Sequence, residues 1–90
     1  MTEAAATEPA RIEATLMALV QKRGPDASAC PSDVARALSP DHWRALMPQV
    51  REAASRLSQQ GKIEIAQGGK AVSSMGPWAG PIRLRLPRKD

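Results

Sequence analysis

A chain of 90 residues with a net charge of +4, no Phe and no Tyr makes one domain, whose core has to come from Leu, Ile, Val, Met and Ala. Trp43 and Trp78 are its only aromatic side chains, which excludes a platform for stacking successive bases. Cys30 is the one thiol and His42 the one imidazole, which excludes an internal disulfide and a Cys- or His-based zinc site and points to a reducing, cytoplasmic setting.

The N-terminal stretch MTEAAATEP carries Glu3 and Glu8 where a signal peptide carries basic residues, and no apolar run approaches the roughly 18 residues needed to cross a bilayer. Residues 1–7 are read as a flexible tail, residues 8–86 as the domain, and residues 87–90 as a flexible basic tail. Thr7 is placed to cap the first helix, with Glu8 and Pro9 in its first turn. Ile12, Leu16, Leu19 and Val20 then repeat at i, i+4, i+7 and i+8 to give one apolar stripe. Lys22 and Arg23 suit the negative end of that helix, and Gly24-Pro25 stops it.

The stretch CPSDVARAL opens a second, short helix, with Pro31 at its first position, Asp33 answering free N–H groups, and Val34, Ala35 and Leu38 turned inward. Cys30 falls near its cap and is given no role. Pro48 then poses a conflict, because an interior proline removes one hydrogen bond and clashes with the preceding turn at a cost of about 3 kcal/mol. That cost predicts a separate short turn over residues 40–46, containing Trp43, and a long helix that begins within two residues of Pro48. The helix runs to Gln60 and Gly61 ends it. Alternation follows, with Ile63 and Ile65 on one side and Lys62, Glu64 and Ala66 on the other. Gly68-Gly69 suits a tight hairpin turn that returns the chain through Lys70, Ala71 and Val72. After the irregular SSMGPWAGP, the run IRLRL alternates again, with Ile82, Leu84 and Leu86 inward and Arg83 and Arg85 outward. The fold class expected is α+β, mainly α: a winged helix-turn-helix of three helices and a small antiparallel sheet.

Taken together, CPSDVARAL, WRALMPQVREAASRL, GKIEIAQGGK and GPIRLRL resemble a family of small bacterial winged-helix domains catalogued as a domain of unknown function. The resemblance covers most of residues 10–86. It implies a winged-helix fold and a link to nucleic acid, and it brings no catalytic or ligand residues with it. The stretch SSMGPW has no counterpart in it.

Charge is unevenly spread. Residues 1–60 hold seven basic and seven acidic side chains, whereas from Gly61 onward Lys62, Lys70, Arg83, Arg85, Arg88 and Lys89 face only Glu64 and Asp90. An anionic partner is therefore expected to meet the last third first. On a helical wheel, Leu46, Val50, Ala53 and Leu57 form the buried stripe of the third helix, with Trp43, Ala54 and Met47 to one side. The outward face then holds Pro48, Glu52, Ser55 and Gln59, flanked by Arg44 and Arg51 on one side and Arg56 on the other. Glu52 at the centre of that face opposes a phosphate backbone.

Two readings of function follow. The first is weak, mostly sequence-independent binding of duplex DNA. Lys62, Lys70, Arg83 and Arg85 of the wing and last strand supply phosphate contacts, and Arg44, Arg51 and Gln59 give limited contact from the third helix. On this reading, replacing both Arg83 and Arg85 flattens the salt dependence by up to roughly two units. The second is a protein-interaction or homodimerisation module on the same scaffold, with Trp78 in its Gly/Pro loop as the contact. Neither reading calls for a metal, a cofactor, a membrane or a small-molecule substrate. An enzyme is not expected, because no nucleophile and base pair, no carboxylate pair and no phosphate loop ahead of a helix is present.

Overall fold

The first apolar stripe forms α1, Pro9–Arg23, with Pro9 in its opening turn and Ile12, Leu16 and Val20 buried. In the computed structural model, which describes residues 8–24, 26–73, 76, 78 and 80–87, Glu8 is the N-cap of α1 and uses no side-chain hydrogen bond. Glu8, and not Thr7, thus occupies the cap, and Thr7 and Pro25 lie outside the described residues. The second helix, α2, is Pro31–Leu38. Its Asp33 carboxylate accepts the Cys30 N–H at 3.0 Å, which satisfies a backbone donor ahead of the helix.

The third helix, α3, runs without interruption over Trp43–Gln59, with Pro48 inside it. This corrects the expected start at Pro48. The break lies one turn earlier, over residues 40–42, where Ser39 is extended as a residue before proline prefers. The physical reason is packing. Trp43, Leu46, Met47 and Val50 are spaced i, i+3, i+4 and i+7, so only a helix that already exists at Trp43 can lay all four on the core. Burying an apolar side chain contributes about 2 kcal/mol each, enough to offset one interior proline. Pro48 is exposed, so its ring crowds no neighbouring element.

The end of α3 is set by Gly61, whose φ of 78° belongs to the left-handed region that only glycine enters freely. The Lys62 N–H donates to the Leu57 carbonyl at 2.9 Å and the Gly61 N–H to the Ser58 carbonyl at 3.0 Å, the paired bonds of a Schellman stop. Strand β1, Glu64–Gln67, follows, then β2, Lys70–Ala71, and β3, Arg83–Arg85. Gln67 pairs with Lys70 across Gly68 and Gly69, both of positive φ, as a two-residue turn with the twist of its strands requires.

The antiparallel sheet has the order β2–β1–β3, and β3 pairs with β1 through Glu64 opposite Arg85, Ile65 opposite Leu84 and Ala66 opposite Arg83. On its other side Leu84 forms an antiparallel bridge with Ala29, in the connection from α1 to α2. Ile65 and Leu84 of the sheet, with Ile63 and Ile82 just ahead of β1 and β3, join a core shared with the helices. Ala66, expected outward with Lys62 and Glu64, is 1% exposed yet lies outside that core cluster. A methyl group on a central strand, flanked in register by Arg83 and Ala71, is shielded by its cross-strand neighbours. The described residues are thus α+β and mainly helical, three helices followed by a small three-stranded antiparallel sheet.

If packing holds α3 together against its proline, Pro48→Ala restores the N–H that the Arg44 carbonyl lacks and stabilises the fold. The expected gain is about 1 to 2 kcal/mol, below the full helix-interior value because alanine also frees the unfolded chain. Chemical denaturation measures it, and an unchanged or lower midpoint would contradict this account of the helix.

Candidate nucleic-acid interface

Helix α3 presents different sides to its surroundings. Towards α1, the Arg56 Nε donates to Glu13 Oε2 at 2.8 Å, and Gln49, Glu52 and Arg56 line a shallow depression with Pro9 and Ile12. Towards α2 lies Trp43, with the Arg36 guanidinium 4.4 Å from its ring centroid. The remaining side, Arg44, Pro48, Arg51, Ser55 and Gln59, follows the i, i+4, i+7, i+11, i+15 spacing of one helical face. Glu52, at i+4 from Pro48, is exposed at the edge of this face that borders α1. The wheel fixed angular order but not which flank α1 would occupy.

Arg44 and Arg51 lie on the flank of this face away from Glu52. Arg44 is exposed and Arg51 half-buried, and neither forms an ion pair among the described residues. Gln59 donates from Nε2 to Ser55 Oγ at 3.1 Å, so its amide is engaged along the same face. Lys62 and Lys70 are exposed, the first where α3 hands over to β1 and the second at the start of β2 beyond the hairpin turn. Neither has an acidic partner among the described residues.

Arg83 and Arg85 share the outer face of β3, as alternation requires, but both are held. Arg85 Nε donates to Glu64 Oε1 at 2.6 Å, and a second guanidinium nitrogen meets the same carboxylate. The register that puts Glu64 opposite Arg85 thus neutralises this cation, and its side chain is only 15% exposed. Arg83 donates through Nε to Ser28 Oγ at 2.9 Å and through Nη2 to the Ser28 carbonyl at 3.2 Å. It is engaged without being neutralised. Arg88 and Lys89 lie outside the described residues.

Trp78 is half-buried and packs against the core, and its indole N–H donates to the Ser73 carbonyl at 2.7 Å. Its neighbours Ser74, Met75, Pro77 and Ala79 lie outside the described residues. Cys30 is a half-buried free thiol. Among the described residues no helix is long and apolar enough to cross a membrane, and no group of three His, Cys, Asp or Glu side chains is placed to hold a metal ion.

The feature that sequence reasoning missed is Arg36. It lies in the last turn of α2, and no periodicity spans the intervening turn to show that it meets Trp43. The wheel sets Trp43 beside the buried stripe of α3. Its side chain is half-buried, packed on the core at one side and covered by Arg36 and by Arg44, whose guanidinium lies 4.7 Å from the ring centroid.

A model of the family described as "Protein of unknown function (DUF3253)" matches residues 9–87. Comparison with curated proteins found no match.

The Arg85–Glu64 pair is partly shielded, so Glu64→Gln is expected to lower stability by about 1 kcal/mol at low salt, with the difference shrinking as salt rises. Parallel denaturation of both proteins at low and high salt reads this out. A loss independent of salt would assign the contact to packing and not to charge.

Proposed function

We propose, for a chain that belongs to this family of unknown function, that it is a winged helix-turn-helix protein that binds duplex DNA weakly and mainly through phosphates. The order of elements supports the fold assignment. Helices α2 and α3 are joined by a short turn, and α3 is followed at once by the β1–β2 hairpin, which stands as the wing. A lone, half-buried thiol fits a reducing cytoplasm.

One observation carries the functional reading. Tertiary pairing removes Arg23, Arg56 and Arg85 from the pool of available cations, while Arg44, Arg51, Lys62 and Lys70 keep no acidic partner among the described residues. Those four lie along one helical face and the hairpin that follows it. A duplex needs cations in such an arrangement, since releasing counterions from phosphates supplies most of the affinity of non-specific binding. The outward face offers little for base reading: Gln59 is turned to Ser55, and Pro48 and Ser55 are short. Contacts to phosphate therefore dominate, and sequence preference is weak. Arg83 adds a contact if it leaves Ser28, whereas Arg85 stays with Glu64.

Fluorescence anisotropy with a random-sequence duplex over a salt series tests this. The intact chain is expected to bind at roughly 1 to 100 µM near physiological salt, with affinity falling steeply as salt rises. Arg44→Ala with Arg51→Ala flattens the log–log slope by about 1.8 units, and Arg83→Ala with Arg85→Ala by no more than about 0.9, because Arg85 is already neutralised. An intact chain that fails to bind at low salt, or a slope indifferent to Arg44 and Arg51, would remove the support for DNA as the partner.

A further inference from the structure

Arg36 comes from α2 and Arg44 from α3, and both guanidiniums converge on Trp43, at 4.4 and 4.7 Å from the ring centroid. Both arginines are exposed, and neither forms an ion pair among the described residues. Asp41 is only two residues from Trp43 and is exposed too, yet it pairs with neither. The indole, not a carboxylate, holds these two cations. A guanidinium stacked on a ring uses its π face, and its N–H donors, which lie in the plane, remain available at the edge.

We infer that Arg36 and Arg44, held by Trp43, form a phosphate clamp that grips the duplex backbone at the corner between α2 and α3. The inference rests on the DNA-binding reading above and adds to it a contact from α2. Phosphate is the ligand the chemistry favours. Two guanidiniums held at one ring without a carboxylate partner keep their full charge, and phosphate oxygens bound at their edges neutralise it. Planar guanidinium edges match phosphate oxygens in a way that ammonium groups do not. A stacked base is disfavoured as the ligand because the ring already packs on the core and is approached by two guanidiniums. Trp43 acts as a positioning residue: by ordering two long side chains in advance it lowers the entropy lost when they bind.

The test uses the full chain, a random-sequence duplex and a salt series, with circular dichroism to verify the fold of each variant. Arg36→Ala is expected to weaken binding about three- to tenfold and to flatten the salt slope by about 0.9. Arg11→Ala, an exposed cation of α1 outside the proposed surface, leaves the slope unchanged. Trp43→Leu keeps both charges but loses the stack, so it weakens binding several-fold with the slope preserved. Should that variant fail to fold, Arg36→Lys reads out the same split, since it keeps the charge and loses the planar edge. Binding by the intact chain whose slope ignores Arg36 would overturn the clamp and leave the DNA reading standing. No binding by the intact chain would overturn both. Poly-glutamate binding tighter than the duplex at equal salt would assign the cluster to an acidic protein partner and overturn the phosphate assignment.

Discussion

Two hydrogen bonds close this fold. The Ala29 N–H donates to the Leu84 carbonyl and the Leu84 N–H to the Ala29 carbonyl, each at 2.7 Å. They join the connection after α1 to the last strand, which is distant in sequence, and both residues are fully buried. Buried backbone groups must be paired, so this bridge fixes where β3 lies relative to the helices, and the register of β3 then fixes β1. Side chains reinforce the junction. Ser28 accepts hydrogen bonds from Arg83 through its hydroxyl and its carbonyl, and Arg23, from the last turn of α1, donates to the same carbonyl at 2.9 Å. Arg23 also reaches Asp33 at 3.4 Å, which ties the end of α1 to the start of α2.

From that junction outward, tertiary packing overrides local preference where the two disagree. The proline in α3 is the clearest instance: its local cost is real, but it is smaller than the gain from placing Trp43, Leu46 and Met47 on the core in helical phase. Ala66 is another, a residue of the outer face buried by the strands on either side of it. Neither case breaks the chemistry of its residue. Pro48 faces solvent, where a missing N–H harms least, and a methyl group suits a crowded position between strands.

The same geometry sorts the cations. Arg23, Arg56 and Arg85 are held by Asp33, Glu13 and Glu64 and serve the fold. Each joins two separate elements, and together they consume carboxylates from α1, α2 and β1. Among the described residues, the cations left without an ion pair include Arg36, Arg44, Arg51, Lys62 and Lys70, on the outward face of α3, at its corner with α2, and around the hairpin, while Arg11 and Lys22 stand on α1. An electrostatic surface can therefore exist on a chain of modest net charge, because pairing is a local property and net charge is a sum.

What the sequence determined by itself was the set of elements and their inward faces. Apolar spacing gave the stripe of α1 and the stripe of Leu46, Val50, Ala53 and Leu57. Glycines at 61, 68 and 69 marked the stop of α3 and the hairpin turn, and alternation marked β1 and β3. These signals are local, since helix and strand periods and positive φ preferences act within a few residues. Only the tertiary structure decided where α3 begins, which flank of it meets α1, and which arginines keep their charge available. Those outcomes depend on contacts between residues far apart in the chain: Arg56 with Glu13, Arg85 with Glu64, Arg83 with Ser28, Arg36 with Trp43. A count of charge along the last third treats Lys62, Lys70, Arg83 and Arg85 alike, because it cannot tell that a facing strand brings Glu64 into register with Arg85.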